Sequence, residues 1–244
     1  MRKFKKITLR CLLIFLILIP VATLAHFLIF PQETRTILID FSGFKKDGRL
    51  YYNVHTPAQK IDTLKIFIQQ ASLRVAAFWG QQKADPKYIY CHTEEDFKKY
   101  GNDRKDPAAT QYKLGTYIVI NNAGVDLDII AHELSHAELY TRTGFFTVMY
   151  KIPRWFDEGL AMQNDYRNYY SEDTLRVRSN NFKNLPDVKQ FNNGTTFYEG
   201  GREQVMLNYL TAKHAVKNWY TKEKLAQLMK DLNDGKSFKE AFKE

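Results

Sequence analysis

Two hydrophobic patterns divide the chain after residue 30. Short apolar runs bounded by turn residues predict strands, and these runs lie at 36–41, 50–55, 88–92 and 116–120. Apolar residues spaced by three and four predict a helix over 61–79. Its buried stripe would consist of Ile61, Leu64, Ile68, Ala71, Val75 and Phe78. Thr93 is typical of a helix start, and the polar, proline-containing segment 102–110 predicts a loop.

From Asp126 onward, helical periodicity dominates. We expect helices at 126–141, 153–166, 199–219, 221–232 and 236–243. The sequence therefore predicts an α+β fold, in which a mixed α/β lobe over 31–125 precedes a mostly helical lobe over 126–244. Residues 31–244 would form one catalytic domain, with a site expected in the cleft between its lobes.

The first thirty residues differ from the rest. Segment 11–30 has twenty residues without a charged side chain, and as a helix they would reach about 30 Å, enough to cross a bilayer. The basic segment 1–6 should remain cytoplasmic, which makes 7–30 a single-pass anchor. The alternative is a signal peptide cleaved after Ala25, which would give a secreted protein. Both interpretations place the domain outside the cytoplasm.

The anchor also explains much of the net charge of +9. Residues 1–30 together contain five basic residues and no acidic residue, so the other 214 residues carry 31 basic and 27 acidic side chains, a balance of +4. That balance does not require a nucleic-acid partner. Cys11 lies at the edge of the apolar segment, whereas Cys91 lies in a predicted strand of the domain. The sequence therefore does not predict a disulfide between them.

The strongest chemical signal is the run His132-Glu133-Leu134-Ser135-His136. Histidines four apart on a helix lie one turn above each other and can bind the same cation. Zinc accepts two imidazole nitrogens and leaves a position for water. Glu133 can then reach that water as a general base. The two histidines lie opposite the predicted core stripe of Leu127, Ile130, Leu134 and Ala137.

Glu158 is the candidate third ligand. It follows His136 by 22 positions, on a helix that Pro153 should open. A lone carboxylate on an apolar stripe is costly to bury unless it is paired, and a divalent cation supplies the partner. The competing interpretation is a solvated glutamate or an ion pair with Arg154 or Arg167. The expected zinc ligands are therefore His132, His136 and Glu158.

These segments resemble a known superfamily. His132-Glu133-x-x-His136 followed by Trp155-Phe156-Asp157-Glu158-Gly159 is similar to the gluzincin metallopeptidases, which include thermolysin and the aminopeptidase N group. The resemblance implies a zincin-like fold, one zinc ion per chain and Glu158 as its third ligand. Tyr198-Glu199-Gly200-Gly201 resembles the Tyr-Glu-x-Gly segment, which implies that Tyr198 donates a hydrogen bond to the oxyanion.

Other residues extend or limit this resemblance. The chain lacks the Gly-x-Met-x-Asn segment of the aminopeptidase N group, and residues 115–120 occupy its place. We expect that strand to bind an extended peptide by edge pairing. Four carboxylates are candidates to orient the zinc histidines, although each alone is also consistent with a surface position. They are Asp128, Glu138, Asp157 and Asp165.

The sequence thus predicts a membrane-anchored, extracytoplasmic zinc metallopeptidase that hydrolyses a peptide or protein substrate. Glu133 would be the general base, and Tyr198 would stabilise the oxyanion. The alternative is a non-catalytic, zinc-stabilised domain that binds cell-envelope partners. A related metal centre that hydrolyses a non-peptide amide or ester is also consistent with these residues.

Overall fold

The computed structural model describes residues 16, 18–102 and 106–243. The expected cytoplasmic segment 1–6, and positions 7–15 and 17 of the expected anchor, lie outside the described residues. The remainder of that segment forms helix α1 at 18–29. In the described part of the chain, no helix combines the length and the hydropathy needed to cross a membrane.

The first half of the described chain forms a mixed five-stranded sheet. The strands are β1 (Lys45–Asp47), β2 (Leu50–Tyr52), β3 (Lys87–Tyr90), β4 (Ala108–Gln111) and β5 (Tyr117–Ile120). Their spatial order is β1-β2-β3-β5-β4, with β2, β3 and β5 parallel and the outer strands antiparallel. All four residues of β5 are buried, as expected for an interior strand covered on both faces.

The edge strand beside the helix that carries the histidines is not the predicted one. The sequence places it at 115–120, but β5 lies inside the sheet, between β3 and β4. The edge is β4, within the segment predicted as a loop. Its pairing with β5 runs from Ala108 opposite Ile120 to Gln111 opposite Tyr117. Two alanines and a threonine give this strand too little hydrophobic contrast to be recognised by alternation.

The strand predicted at 36–41 is also wrong. The chain forms helix α2 (Pro31–Ile37) and then a 3-10 turn at Ile39–Phe41. Proline favours the first turn of a helix. The hydroxyls of Thr34 and Thr36 donate to the carbonyls of Phe30 and Glu33, both at 2.8 Å, so the β-branched residues are accommodated within helical structure.

The predicted helices are present, with shifted ends. In the described residues they are α3 (Ala58–Trp79), α4 (Glu94–Tyr100), α5 (Leu127–Thr143), α7 (Arg154–Ala161), α10 (Gly201–Trp219), α11 (Lys222–Asn233) and α12 (Phe238–Ala241). Thr93 caps α4, as predicted, and Asp126 caps α5. Three short helices were not predicted: α6 (Phe145–Tyr150), α8 (Glu172–Arg178) and α9 (Gly194–Tyr198).

One hydrophobic core runs through both halves of the described domain. The α3 stripe is confirmed, since Leu64, Ala71 and Val75 are fully buried and the other three positions are partly buried. The same core includes Ile118 of β5 and Phe156 of α7. Helix α5 contacts α3, β4 and α7. The helix that carries the histidines is therefore the central element of a mixed α+β domain.

Candidate metal centre

Helix α5 presents the two histidines to the interior. His132 and His136 are buried, at 8% and 7% exposure, and three residues of the expected core stripe, Ile130, Leu134 and Ala137, are buried as well, whereas Leu127 is partly buried. Because the helix is covered by the sheet side and by α7, its polar face is enclosed. An enclosed pair of imidazoles requires partners.

Helix α7 brings Glu158 to these histidines. The sequence suggests that Gly159 allows α7 to approach the histidine helix, but Gly159 faces α10 instead. A Cβ atom at this position would lie 2.6 Å from the Ala212 carbonyl oxygen and 2.6 Å from a methyl group of Val216. Gly159 thus allows α10 to pack closely against α7. The carboxylate of Glu158 lies on the opposite side of α7.

The three side chains converge on one point. His132 Nε2 and His136 Nε2 are 3.1 Å apart, and each lies 3.4 Å from Glu158 Oε2. Ligand atoms at about 2.05 Å from a tetrahedral zinc ion are about 3.4 Å apart. Glu158 Oε2 is buried and has no hydrogen-bond donor among the described residues. The residues therefore form a buried cluster that could hold a metal ion.

The far sides of the imidazoles face two of the four candidate carboxylates. Asp157 Oδ1 lies 2.6 Å from His136 Nδ1, so His136 donates there and its Nε2 is turned toward Glu158. Arg154 donates to the other oxygen of Asp157 at 2.9 Å. Asp165 Oδ2 is more distant, at 3.9 Å from His132 Nδ1. The guanidinium group of Arg167 donates hydrogen bonds to the Asp165 carboxylate.

The other two candidates have different partners. Asp128 accepts hydrogen bonds from Arg74 and from the Tyr166 amide. Glu138 is fully buried and accepts from the amides of Lys83 and Ala84 and from Arg142. Neither is a surface carboxylate, contrary to the interpretation from sequence, and neither contacts the imidazoles. Both stabilise packing around α5.

The charges of this cluster depend on one another. Burial alone would lower the pKa of His136, but Asp157 and Glu158 outweigh it and raise that pKa well above its usual value. Burial alone would likewise raise the pKa of Glu158, but the two histidines hold it well below its usual value. Asp157 and Glu158 therefore favour a positive charge in the space between the imidazoles and the Glu158 carboxylate.

Glu133 lies on the open side of the same helix. It is half-buried and lines the cleft. The Thr110 hydroxyl, on edge strand β4, lies 2.6 Å from Glu133 Oε2 and donates to it. Sequence reasoning missed Thr110 because it assigned this position to a loop. The edge strand therefore touches the carboxylate that follows the first histidine.

Tyr198 ends helix α9, where its hydroxyl donates to Glu158 Oε1. The sequence places this tyrosine at the start of the long helix, but the chain turns at Glu199 and Gly200 before α10 begins. Burial and the nearby Glu158 carboxylate raise the pKa of Tyr198. Tyr198 remains 37% exposed. Its phenol therefore bonds to Glu158 and also forms part of the cleft wall.

A cleft of about 1100 Å³ opens over the cluster. Edge strand β4 forms one wall, and helices α5, α7, α9 and α10 form the others. Its lining includes four residues that sequence reasoning did not assign to the cleft, namely Tyr112, Arg154, Tyr170 and Tyr209. Tyr112 stacks on Tyr140 with ring centres 4.7 Å apart. A lone aromatic residue in a sequence gives no signal that its ring lines a cavity.

The remaining histidine and cysteine candidates are separate from this centre. His92 lies near Tyr90, and His214 contacts Asn218 and Phe182. Cys91 is a buried free thiol, and burial raises its pKa.

Comparison with known proteins adds no assignment, since no protein-family model, no curated protein and no solved structure matches the chain.

Proposed function

We propose that this chain is a zinc-dependent peptidase of the gluzincin type, with His132, His136 and Glu158 as its metal ligands. The observation that carries the proposal is the buried, unpartnered Glu158 Oε2 between two imidazole nitrogens. Two nitrogens and one oxygen are a donor set that suits zinc in a hydrolytic site. Zinc bound there would supply a Lewis acid that polarises a carbonyl group and lowers the pKa of water.

Glu133 is the proposed general base. Thr110 holds its Oε2 oxygen, which leaves Oε1 to take a proton from the attacking water. The water oxygen bonds to the peptide carbonyl carbon, the carbon–nitrogen bond breaks, and Glu133 delivers the proton to the leaving amine. Tyr198 can supply a hydrogen bond to the oxyanion if its hydroxyl leaves Glu158, a step that its partial exposure supports.

A peptide substrate is supported by the edge strand. The outer side of β4 has no strand partner among the described residues, and β4 forms a wall of the cleft. An extended peptide can add to such an edge through main-chain hydrogen bonds. This strand therefore takes the binding role that the sequence gives to residues 115–120.

We also propose that the N-terminal segment anchors the domain to a membrane and places it outside the cytoplasm. Within α1, the large hydrophobic side chains that are described are exposed, among them Leu18, Val21, Leu24 and Leu28. Extraction of the full chain from membranes with alkaline carbonate tests this. A true anchor resists extraction, whereas a peripheral or secreted protein is released.

The activity is tested by metal analysis combined with cleavage of a peptide library. We expect one zinc ion per chain and chelator-sensitive hydrolysis. Glu133→Gln should retain zinc and lose turnover by about 10²–10⁴-fold, the usual contribution of a general base. Glu95→Gln is the matched control, because Glu95 is exposed on α4. One zinc ion without any cleavage would instead support the non-catalytic, zinc-stabilised domain.

A further inference from the structure

The junction between the apolar segment and the domain contains no free linker. Helix α1 ends at residue 29, and α2 begins at Pro31. The His26 ring nitrogen lies 2.7 Å from the hydroxyl of Thr34, across the junction. Thr34 and Thr36 are buried at 3% and 1% exposure. The apolar helix therefore leads directly into a helix that is packed on the domain.

Helix α2 packs on α4 and is joined by a side-chain contact to the last residue of the cleft's edge strand. The Thr36 hydroxyl donates to Gln111 Oε1 at 2.7 Å, and Gln111 is the last residue of β4. Side chains alternate along a strand, so Gln111 faces α2, whereas its neighbours Thr110 and Tyr112 line the cleft. One short strand thus has the N-terminal segment on one face and the proposed active site on the other.

The end of this strand lies at the end of the apolar helix. Lys113 pairs with Glu33 at 3.4 Å, and its ammonium group lies over the ring of Phe30. The next residue, Leu114, is 84% exposed and adopts a positive φ of 49° at the tip of the turn into β5. An exposed leucine beside a lysine and the end of an apolar helix suits a membrane interface, where lysine stems lie along apolar surface.

The exposure of α1 indicates what surrounds it. Its described residues are exposed on all sides, apart from the half-buried His26. A helix that packs on the surface of a protein has one apolar face. A helix that is apolar on all sides has an apolar environment on all sides, as in a bilayer. The membrane surface would then lie at Phe30, next to Lys113 and Leu114.

From this geometry we propose that the natural substrates are peptide segments that emerge from the same bilayer, close to its surface. The inference rests on the proposed peptidase activity and the proposed anchor. A chain that leaves the membrane near Leu114 meets the end of β4 and can pair along it toward Glu133. Thr110 is three residues from Lys113, about 10 Å along a strand. Cleavage should fall about four to ten residues from the substrate's membrane span.

The first test uses the full chain in liposomes with single-span substrates. One series carries the same cleavable sequence at increasing distance from the span. We expect hydrolysis to be at least tenfold faster at about six residues than at about forty. A flexible twenty-residue linker inserted between Phe30 and Pro31 should remove this preference. The same linker added after Glu244 should leave it intact.

The second test measures position without activity. An environment-sensitive dye is attached to Leu114→Cys in a chain with Cys11→Ser, since Cys91 is buried. Lipid-borne quenchers should quench this dye strongly. A dye at Val177→Cys should be quenched weakly, because Val177 is equally exposed, at 82%, but lies on α8 in the helical half. In the linker variant, the Leu114 signal should fall toward the Val177 level.

The outcomes separate the two proposals. Hydrolysis of soluble peptides without a distance preference would overturn the membrane-proximal substrate class and leave the peptidase intact. If neither soluble peptides nor membrane-tethered peptides are hydrolysed, both the peptidase activity and the membrane-proximal substrate class are overturned. An unquenched dye at Leu114 would overturn the proposed geometry, whatever the activity.

Discussion

Two buried glutamates, Glu138 on helix α5 and Glu158 on helix α7, differ in how their charge is stabilised. Glu138 is fully buried and receives hydrogen bonds on both oxygens from the amides of Lys83 and Ala84, and from Arg142. Glu158, on α7, is almost as buried, but its Oε2 oxygen has no hydrogen-bond donor in the part of the chain that the structure describes. The first is a complete structural site, and the second is an incomplete one that faces two histidines.

In this domain the number of hydrogen-bond donors distinguishes the structural carboxylate, Glu138, from the proposed ligand, Glu158, whereas burial does not distinguish them. A buried acid whose hydrogen bonds are satisfied stabilises the fold, and loss of its partner exposes an unpaired charge. A buried acid with an unpaired oxygen is unfavourable unless something else completes it. The metal centre should therefore be the part of this domain where substitution costs function, and the Glu138 site the part where it costs stability.

The largest expected effect is on stability at the structural site. Glu138→Gln places an amide nitrogen opposite two backbone N–H donors and leaves Arg142 without its negative partner. We expect the free energy of unfolding to fall by about 3 kcal/mol or more, as when one partner of a buried pair is removed. Denaturant unfolding of the metal-free protein measures it.

Glu158→Gln is the matched control for that substitution. In metal-free protein it should lower the free energy of unfolding by less than Glu138→Gln does, because Asp157 still pairs with His136 after the change. It should, however, weaken zinc binding, whereas a folded Glu138→Gln protein should bind zinc normally. Equal destabilisation by the two variants would break the distinction between the sites.

The next effect concerns the carboxylates behind the imidazoles. Asp157→Asn should weaken zinc binding by about 10–100-fold, because Asp157 orients His136. Competition with a chelating dye provides the measurement. Asp128→Asn is the matched comparison, since Asp128 bonds Arg74 and no imidazole. Weaker zinc binding in the Asp128 variant, or none of this loss in the Asp157 variant, would contradict the assignment.

These sites also show what could be inferred from the sequence. The spacing of His132 and His136 follows from helical geometry, so the core of the centre was predictable from five residues. Glu158 needed a physical argument about a carboxylate among apolar neighbours, together with a resemblance. Its convergence with the imidazoles at 3.4 Å agrees with that argument. The zinc identity and the chemistry remain predictions.

The wrong predictions from sequence have a common cause, which is tertiary context. Residues 36–41 have strand-forming side chains, but the Thr36 hydroxyl bonds to the Glu33 carbonyl within helix α2, which packs on α4. Ala108 to Gln111 have weak strand preference, and only pairing with β5 makes them a strand. Glu138 and Asp128 resembled surface acids because several of their partners, the amides of Lys83 and Ala84 and the guanidinium of Arg74, lie 54 or 55 positions away in sequence.

A smaller effect is expected from the packing that holds α7. Gly159→Ala should lower the free energy of unfolding by about 1–3 kcal/mol, since the new methyl group would overlap the Ala212 carbonyl of α10. Gly43→Ala is the control, because no atom lies within 4 Å of the place that its new methyl group would occupy. That variant should stay within about 0.5 kcal/mol of the parent. Equal effects would show that α7 is not pressed against α10.

The smallest expected effect tests the link between the edge strand and the proposed base. Thr110 donates to Glu133 Oε2, so Thr110→Val should lower turnover by about tenfold, the value of one hydrogen bond to a charged group. Zinc stoichiometry and unfolding should stay near those of the parent, because Thr110 bonds to Glu133 and not to a ligand. Thr110→Ser keeps the hydroxyl and should restore most of the turnover. If serine is as impaired as valine, the methyl group rather than the hydrogen bond matters, and β4 shapes the cleft without holding Glu133.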